Sequence, residues 1–515
     1  MSSKELIAPE LAADIVIIGA GSAGLSAALT AAQGGASVIL LEKADKVGGA
    51  GNYAEGVFGV ETEMQRKLWM NVTREKVFLD EMNDARWESN FALVRRFQGQ
   101  SAATIDWLIA QGVAFDGPMK NDWTNTPTWH VITGHGKEMV KILLAHLETF
   151  KSVKILLNTS AKALITTNGR VAGVHAQTAD GKLFEVSAGG GVIVATGGFA
   201  NSPEMLEKYA NLTDVVQLAD IGRTGDGINM SHAAGAQFDT MSPVMMQPML
   251  DMHGEGHHFS MDEMLLSMIG LEPRNIWVDK FGKRFANEVV AFDFPFAANA
   301  LRRVKFAWSI FDDAMKERYM TKGIDVGLGV IIPPLTVVTN FDSLWQKAIA
   351  GGNTAVVQAD TLAALAKATS LPLPALEATL EQYNASAAVN VDEAFGKDRR
   401  WLQPISAASP FYALRISYAI TTTLGGIKVD DHLHALDAND LPIPGLYLTG
   451  NDAGGLVAAD SYTVTAAPGT SFGFAVGSGR MAADDILEHL NSDSPARHAT
   501  HIELAGKVEV VARPS

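Results

Sequence analysis

The stretch Asp14–Glu42, DIVIIGAGSAGLSAALTAAQGGASVILLE, decides the fold. Asp14–Ile18 is an apolar run short enough for a strand buried in a parallel sheet, Ala23–Gln33 is Ala-rich and helical, and Ala36–Leu41 closes a βαβ unit. Between strand and helix stands Gly19-Ala20-Gly21-Ser22-Ala23-Gly24. Gly19 permits the tight turn, Gly21 lets a pyrophosphate approach the backbone, and Gly24 lets helix and strand pack. The helix N-terminus adds oriented N–H groups and positive potential. Glu42 ends the second strand eighteen residues beyond Gly24, where a carboxylate can accept both hydroxyls of a ribose. A purely structural glycine turn has no need of that acid; strand, helix and Glu42 in register point to a bound dinucleotide.

The next residues choose among dinucleotides. Lys43-Ala44-Asp45-Lys46-Val47-Gly48-Gly49 puts a Gly-Gly pair after the acidic strand, which suits a chain running along an extended FAD. Further on, helical patterns run from about Thr73 to Gln111, broken near Asp84, and from Lys137 to Thr149. From Val153 apolar and polar residues alternate, with turns at Asn168-Gly169 and Asp180-Gly181, and feed a buried strand at Gly191–Ala195. Residues of about 240–415 lack glycine-rich strand endings, are rich in Met and aromatics, and contain helices at Asp360–Ala368 and Leu373–Ala388. After Gly425 the strand Gly445–Thr449 and a small-residue helix, Ser471–Leu490, restore the earlier style. The expected fold is α/β: a two-dinucleotide-binding, Rossmann-like FAD domain interrupted by an inserted α+β capping domain. Its expected segments are 1–240 and 416–491 for the FAD domain, 241–415 for the cap, and 492–515 for a tail whose apolar stretch Val508–Ala512 can add an edge strand.

Composition narrows the function. At 515 residues the chain exceeds one hydrophobic core, so two domains or three compact units are expected. A net charge of −16 repels the phosphate backbone, which argues against nucleic acid. There is no cysteine, so disulfides, thiolate-held zinc and iron–sulfur clusters are excluded from this sequence. The start, MSSKELIAPELAAD, lacks the charged-then-apolar order of a secretory signal. The apolar region Ile15–Leu41 is broken by Gly19, Gly21, Gly24, Gln33, Gly34 and Gly35, so no membrane span is expected and a cytoplasmic location is.

Several motifs then carry a family resemblance. They are VIIGAGSAGLSAAL with LEKADKVGG, VIVATGGFANSPEM at Val192–Met205, Thr224-Gly225-Asp226-Gly227, GKRFANE at Gly282–Glu288, Thr423-Leu424-Gly425-Gly426, and PGLYLTGNDAGG at Pro444–Gly455. In this order the chain resembles the FAD-dependent flavoproteins of the fumarate reductase and succinate dehydrogenase type, which include urocanate reductases and 3-ketosteroid dehydrogenases. The resemblance implies substrate held between a mobile cap and the isoalloxazine. It implies that Thr196-Gly197-Gly198 turns under the cofactor, that Ala161 offers backbone to the adenine, and that Asp226 and Asn451 or Asp452 lie near FAD. It also implies that the helix from Ser471 and Phe472 points its N-terminus at the flavin, where it stabilises negative charge on the reduced ring. Ser22, Ala23, Lys43, Gly48, Gly49, Ala50, Gly51, Glu55, Gly56 and Gly425 complete the expected contacts. Covalent members carry a His shortly after the Gly-Gly pair; Ala50–Gly59, AGNYAEGVFG, has none, so non-covalent FAD is expected.

The departures concern substrate. Where fumarate reductases place a proton-donating Arg after Asn-Glu, this chain has Phe292; where they place His-His, it has Thr421-Thr422; and their later Arg is missing near Ser461-Tyr462. Losing these groups strips a dicarboxylate of charge-assisted bonds worth roughly 1.5–3 kcal/mol each. The expected activity is hydride transfer between flavin N5 and a CH–CH, enoyl- or enone-type small molecule. Oxidation of a cyclic ketone or alcohol, and an FAD-binding electron carrier or sensor without turnover, are the alternatives. Tyr462 stands as candidate proton donor, or as a ring packed over the pocket, with Thr422 and Ser461 beside it. Thr421, Thr423 and Phe292 are the substrate candidates, though β-branched residues also suit a strand and Phe292, Phe294 and Phe296 also suit a core. His253, Glu255, His257 and His258 read as a polar cap loop, and no metal is expected. His130 and His135 precede a helix that can face FAD. The implied partners are the small-molecule substrate and an electron donor or acceptor; no sequence feature sets the oligomeric state.

Overall fold

The computed structural model describes residues 11–120, 126–213, 215–218, 221–251, 260–407, 410–457 and 467–493. Tyr462 and Ser461, the loop of His253 to His258 and the stretch Val508–Ala512 lie outside the described residues.

The principal sheet is built on the opening motif. Leu11–Ile18 lies between Val38–Leu41 and Leu183–Val194, parallel to both, with Ile15 level with Val38 and Gly191. Val153–Leu156 extends the sheet on one side and Pro442–Leu448 on the other, again parallel, while His434–Leu436 closes that edge antiparallel. Thr159–Thr167 and Arg170–Thr178 form the antiparallel excursion, turning at Asn168 and Gly169, both in the left-handed region. Ile15–Ile18 and Val38–Leu41 are almost wholly buried, as apolar strands covered on both faces must be.

The helix Ser22–Gln33 covers one face. Its residues are small because the helix Thr470–Asp493 presses against it: a Cβ at Gly479 would stand 2.1 Å from the Ala23 carbonyl oxygen. Sequence distant by more than four hundred residues thus completes the layer. No described helix is long and apolar enough to cross a membrane.

A second sheet is organised around one long strand, Phe411–Thr423. Ala307–Asp312, Val244–Leu250 and Val356–Ala359 pair with it antiparallel and Val216–Gln217 parallel, with Ile276–Val278 beyond Ala307–Asp312. Helices Leu362–Thr369 and Leu373–Val389 pack on this sheet in a second apolar core with Trp308, Ile310 and Phe411. A buried ionic knot stiffens it: Arg284 bonds both Glu288 and Asp392, and Lys397 sits 3.1 Å from Glu288. A third, small sheet joins Gly56–Phe58, Trp129–Ile132 and Phe115–Met119. The functional consequence lies at the ends. Phe411–Thr423 runs out of the second sheet against the Thr196–Gly198 turn of the first, where Thr423 Oγ1 accepts the Phe199 N–H at 3.0 Å.

Candidate active site

The glycine loop is built as a cradle. Gly19 adopts φ +99°, and a Cβ there would lie 2.4 Å from the Ala195 carbonyl; at Gly24 it would lie 1.9 Å from the Gly19 carbonyl. Around Gly21, by contrast, a Cβ would meet no atom within 4 Å, so the backbone there is open to a ligand. Glu42 fixes the loop's far side, taking the Ala20 and Ala44 amides on its two oxygens at 2.8 Å each. Gly48 donates to the Ala20 carbonyl, which docks the Gly48-Gly49 pair on the loop. Gly51 leaves room for the Ser22 hydroxyl, buried and without a hydrogen-bond partner at the start of Ser22–Gln33. The helix His135–Leu147 aims its own start at the same place: a Cβ at Gly136 would lie 2.0 Å from the Gly51 carbonyl, and His135 Nδ1 is likewise buried without a partner. Two helix N-termini, two orphaned polar groups and an open glycine suit a pyrophosphate, so these residues fit the FAD that the sequence implied.

Several other expected residues adjoin the Thr196–Gly198 turn. Asp452, fully buried, accepts from Thr196 N, from Thr196 Oγ1 at 3.0 Å, and from Gly197 N and Gly198 N at 3.1 Å. Burial lifts its pKa, and these four donors pull against that rise. Asn451 donates to Thr422 Oγ1 at 2.6 Å, and Thr421 Oγ1 is buried without a partner. Lys43 reaches Asp226 at 2.7 Å and Thr224 at 2.9 Å, a half-exposed pair closing the outer edge. Ala161 lies in its strand opposite Ala176, and Ala50 is exposed. Gly425 packs against Thr240, whose carbonyl a Cβ would meet at 2.3 Å. Phe472 flanks Gly51, 3.5 Å from where its Cβ would be, and Ser471 stands beside it in the first turn of the long helix. Phe292 packs on Trp401, ring centroids 5.2 Å apart, and lines a cleft of about 410 Å³ with Asn287, Val289, Val290, Asp293 and Phe296.

Three groups escaped the sequence reading. Arg223, 4% exposed, lays its stem over Gly197 and donates to the Thr421 carbonyl at 2.7 Å and to Asn201 Oδ1. Its signal was an arginine inside the glycine-rich turn Gly222–Gly225. Glu81 is buried at the start of the long helix, 3.3 Å from Thr470 Oγ1, and burial pushes its carboxyl up to about 8. It shares the apolar face of Arg74–Asp84 with Val77, Phe78 and Met82, a carboxylate where the helical period calls for hydrocarbon. Next along that helix, Asp84 faces Asp293 of the cleft, and burial raises both. Trp129 is the third: it bridges Gly469, beside the long helix's start, and Gly329 of the second unit, since a Cβ at either glycine would stand 3.0 Å from its indole.

Glu55, expected at the cofactor, turns its carboxyl toward that same Gly329. It accepts the Val330 N–H, and burial pushes it up to about 7 against that bond. His130 is fully buried between Thr62 Oγ1 at 2.8 Å and the Thr128 carbonyl at 3.0 Å, and burial holds its pKa down to about 4, so it is a neutral structural group. Among the described residues no group of three or more His, Asp or Glu is placed to hold a metal ion.

Known proteins resemble this chain in sequence and in fold. The FAD binding domain family matches residues 14–460. The vinyl phenol reductase of Lactiplantibacillus plantarum is 32% identical over 490 residues, covering 94% of this chain and 98% of that protein. The cytochrome-type fumarate reductase of Shewanella frigidimarina is 26% identical, covering 94% and 78%. An open-conformation structure of a flavocytochrome c3 fumarate reductase superposes with a TM-score of 0.73 at 25% identity, over 93% of this chain and 79% of that one. With the family match spanning most of its length, this chain belongs to the FAD binding domain family: it is a flavoprotein oxidoreductase that uses FAD.

Proposed function

We propose that this chain reduces a carbon–carbon double bond conjugated to a neutral, aromatic group, with FAD held non-covalently between the two sheet units. The observation that carries the reading is the neutral character of the positions where the resemblance places cationic ligands. Phe292 packs on Trp401 beside Val289, Val290 and Phe296, and Thr421 and Thr422 present hydroxyls. Arg223 is directed to the Thr421 carbonyl and Asn201. The relative from L. plantarum supports the reading, because a vinyl phenol joins its double bond to a ring without a carboxylate.

FAD supplies hydride chemistry when bound. The chain's own residues divide the remaining work. Gly19–Gly24, Ser22 and the two helix starts would hold the pyrophosphate, and Glu42 the ribose. The Thr196–Gly198 turn, pinned by Asp452, would help to hold the cofactor, and Thr421 and Thr422 would orient the substrate's polar end. The start of Thr470–Asp493 would favour negative charge on a cofactor placed there. The apolar cleft excludes water from the double bond.

The test is anaerobic: reduce the flavin, then add 4-vinylphenol, cinnamate, urocanate or fumarate and follow the flavin absorbance. Rapid reoxidation by 4-vinylphenol and none by fumarate is expected. Preferential reoxidation by fumarate overturns the reading, as does silence toward the whole panel with no spectral shift on binding.

A further inference from the structure

We infer that Glu55 is the proton donor of this reaction, delivering its carboxyl proton to one carbon of the double bond while the other carbon receives hydride. The inference rests on the double-bond reduction proposed above and supplies the acid that Phe292 cannot.

Four observations converge on this residue. First, its backbone is fixed from two sides: the Glu55 carbonyl accepts the Ile132 N–H at 2.9 Å, and the adjoining Ala54 carbonyl accepts the Gly136 N–H at 2.7 Å. The carboxyl therefore starts from a rigid base on the segment that leaves the Gly48-Gly49 pair. Second, the side chain crosses the seam between the units to the Val330 N–H. That amide is a donor ready to stabilise the carboxylate left after the proton has gone. Third, space has been made for it: Gly329 has φ +51°, and a Cβ there would lie 2.6 Å from Glu55 Oε2. Fourth, Trp129 spans from Gly329 to Gly469, so Glu55 shares an aromatic wall with the start of the long helix.

The chemistry balances. The π pair of the double bond forms a C–H bond with the Glu55 proton, leaving Glu55 as carboxylate. The second C–H bond forms with a hydride and its electron pair, the chemistry reduced FAD supplies. Water reprotonates Glu55, and an external two-electron donor restores the reduced cofactor.

Burial sets the carboxyl at about 7, near the range in which general acids work best. The groups packed around it are Trp129 from the small sheet, Gly329 and Val330 from the second unit, and the Gly136 region of the helix beginning at His135. No charged side chain among the described residues contributes to its shift, which comes from burial and the Val330 amide alone. Glu81, a buried carboxyl at the start of the long helix, is held inward by Thr470 and is 7% exposed.

The experiment compares wild type with Glu55→Gln, which keeps the shape and an acceptor for Val330. Reoxidation of the reduced flavin by 4-vinylphenol is followed in single turnover from pH 5.5 to 9. Wild type is expected to slow as pH rises through about 7, as the acid form is lost. E55Q is expected to be roughly 100-fold slower or more, with a flat profile, while keeping its FAD. An E55Q rate and profile like wild type overturn the inference and leave the proposed function standing. Failure of wild type with every alkene overturns both. If E55Q loses FAD, Glu55→Asp decides: a slower rate with the pH dependence retained supports the donor, and a flat profile overturns it.

Discussion

Replacing Gly21 by alanine separates the cradle's two purposes, folding and binding. At Gly21 the backbone has φ −72° and ψ −175°, which any residue adopts, and a Cβ would touch no protein atom within 4 Å. Gly21→Ala therefore costs the fold at most the cap preference of glycine over alanine, about 1 kcal/mol or less. The methyl instead occupies the open side where the pyrophosphate must approach. Losing one amide-to-phosphate bond costs roughly 1.5–3 kcal/mol, which weakens FAD binding about 10- to 150-fold. Gly24→Ala is the contrast: its Cβ would stand 1.9 Å from the Gly19 carbonyl oxygen and 3.1 Å from its carbon, contacts with backbone that cannot step aside. Overpacking of that kind costs roughly 1–3 kcal/mol, of which better helix propensity recovers about 1. Stripping the flavin, unfolding each apoprotein in urea and titrating FAD back by fluorescence measures both quantities. Gly21→Ala should unfold close to wild type and bind poorly; Gly24→Ala should fail on both counts. A Gly21→Ala apoprotein as weakened as Gly24→Ala, or one that binds FAD like wild type, refutes the reasoning.

Two further outcomes are expected. Asp452→Asn should lower the urea midpoint and shed flavin, because a single amide oxygen cannot serve three N–H groups and a hydroxyl, and each stranded donor costs about 1–3 kcal/mol; an unchanged midpoint contradicts the tether. Glu81 binds its proton more tightly folded than unfolded, so stability is greatest below the ordinary carboxylate range and falls as pH rises toward about 8; the advantage of Glu81→Gln over wild type should grow by about 3 kcal/mol between pH 5 and 7.5, and an equal difference at both pH values shows that Glu81 ionises normally.

The parts legible in the sequence are those whose signal is local. Leu11–Ile18, Ser22–Gln33 and Val38–Leu41 fall within a few residues of where Asp14–Glu42 put them, and the turns at Asn168 and Asp180 follow their residue types. The second sheet left no such trace. Phe411–Thr423 is buried on nearly every residue, Ser417, Thr422 and Thr423 included, so apolar and polar residues do not alternate along it and nothing in the run reveals its partners. The small sheet is hidden for another reason: strands of three to five residues, one reading FDGPM, are too short to show a period. In the site, the glycine loop was visible because backbone geometry demands glycine. Glu81, Arg223 and Trp129 were not, because their importance comes from neighbours remote in the chain: Thr470, Thr421, and Gly469 with Gly329. Glu55 was placed near the cofactor, but only the fold shows its reach to Val330.

The order of strands in the principal sheet also has a biosynthetic side. Val192 lies level with Leu446, its partner across the sheet, about 250 residues later in the chain. A ribosome working at roughly 5–20 residues per second needs about 13–50 seconds to deliver that partner. Throughout this interval Val192–Val194, the apolar end of its strand, presents an open edge, the kind of surface on which nascent chains stick to one another. Slowing translation between the two strands should therefore send more of the protein into inclusion bodies or onto chaperones.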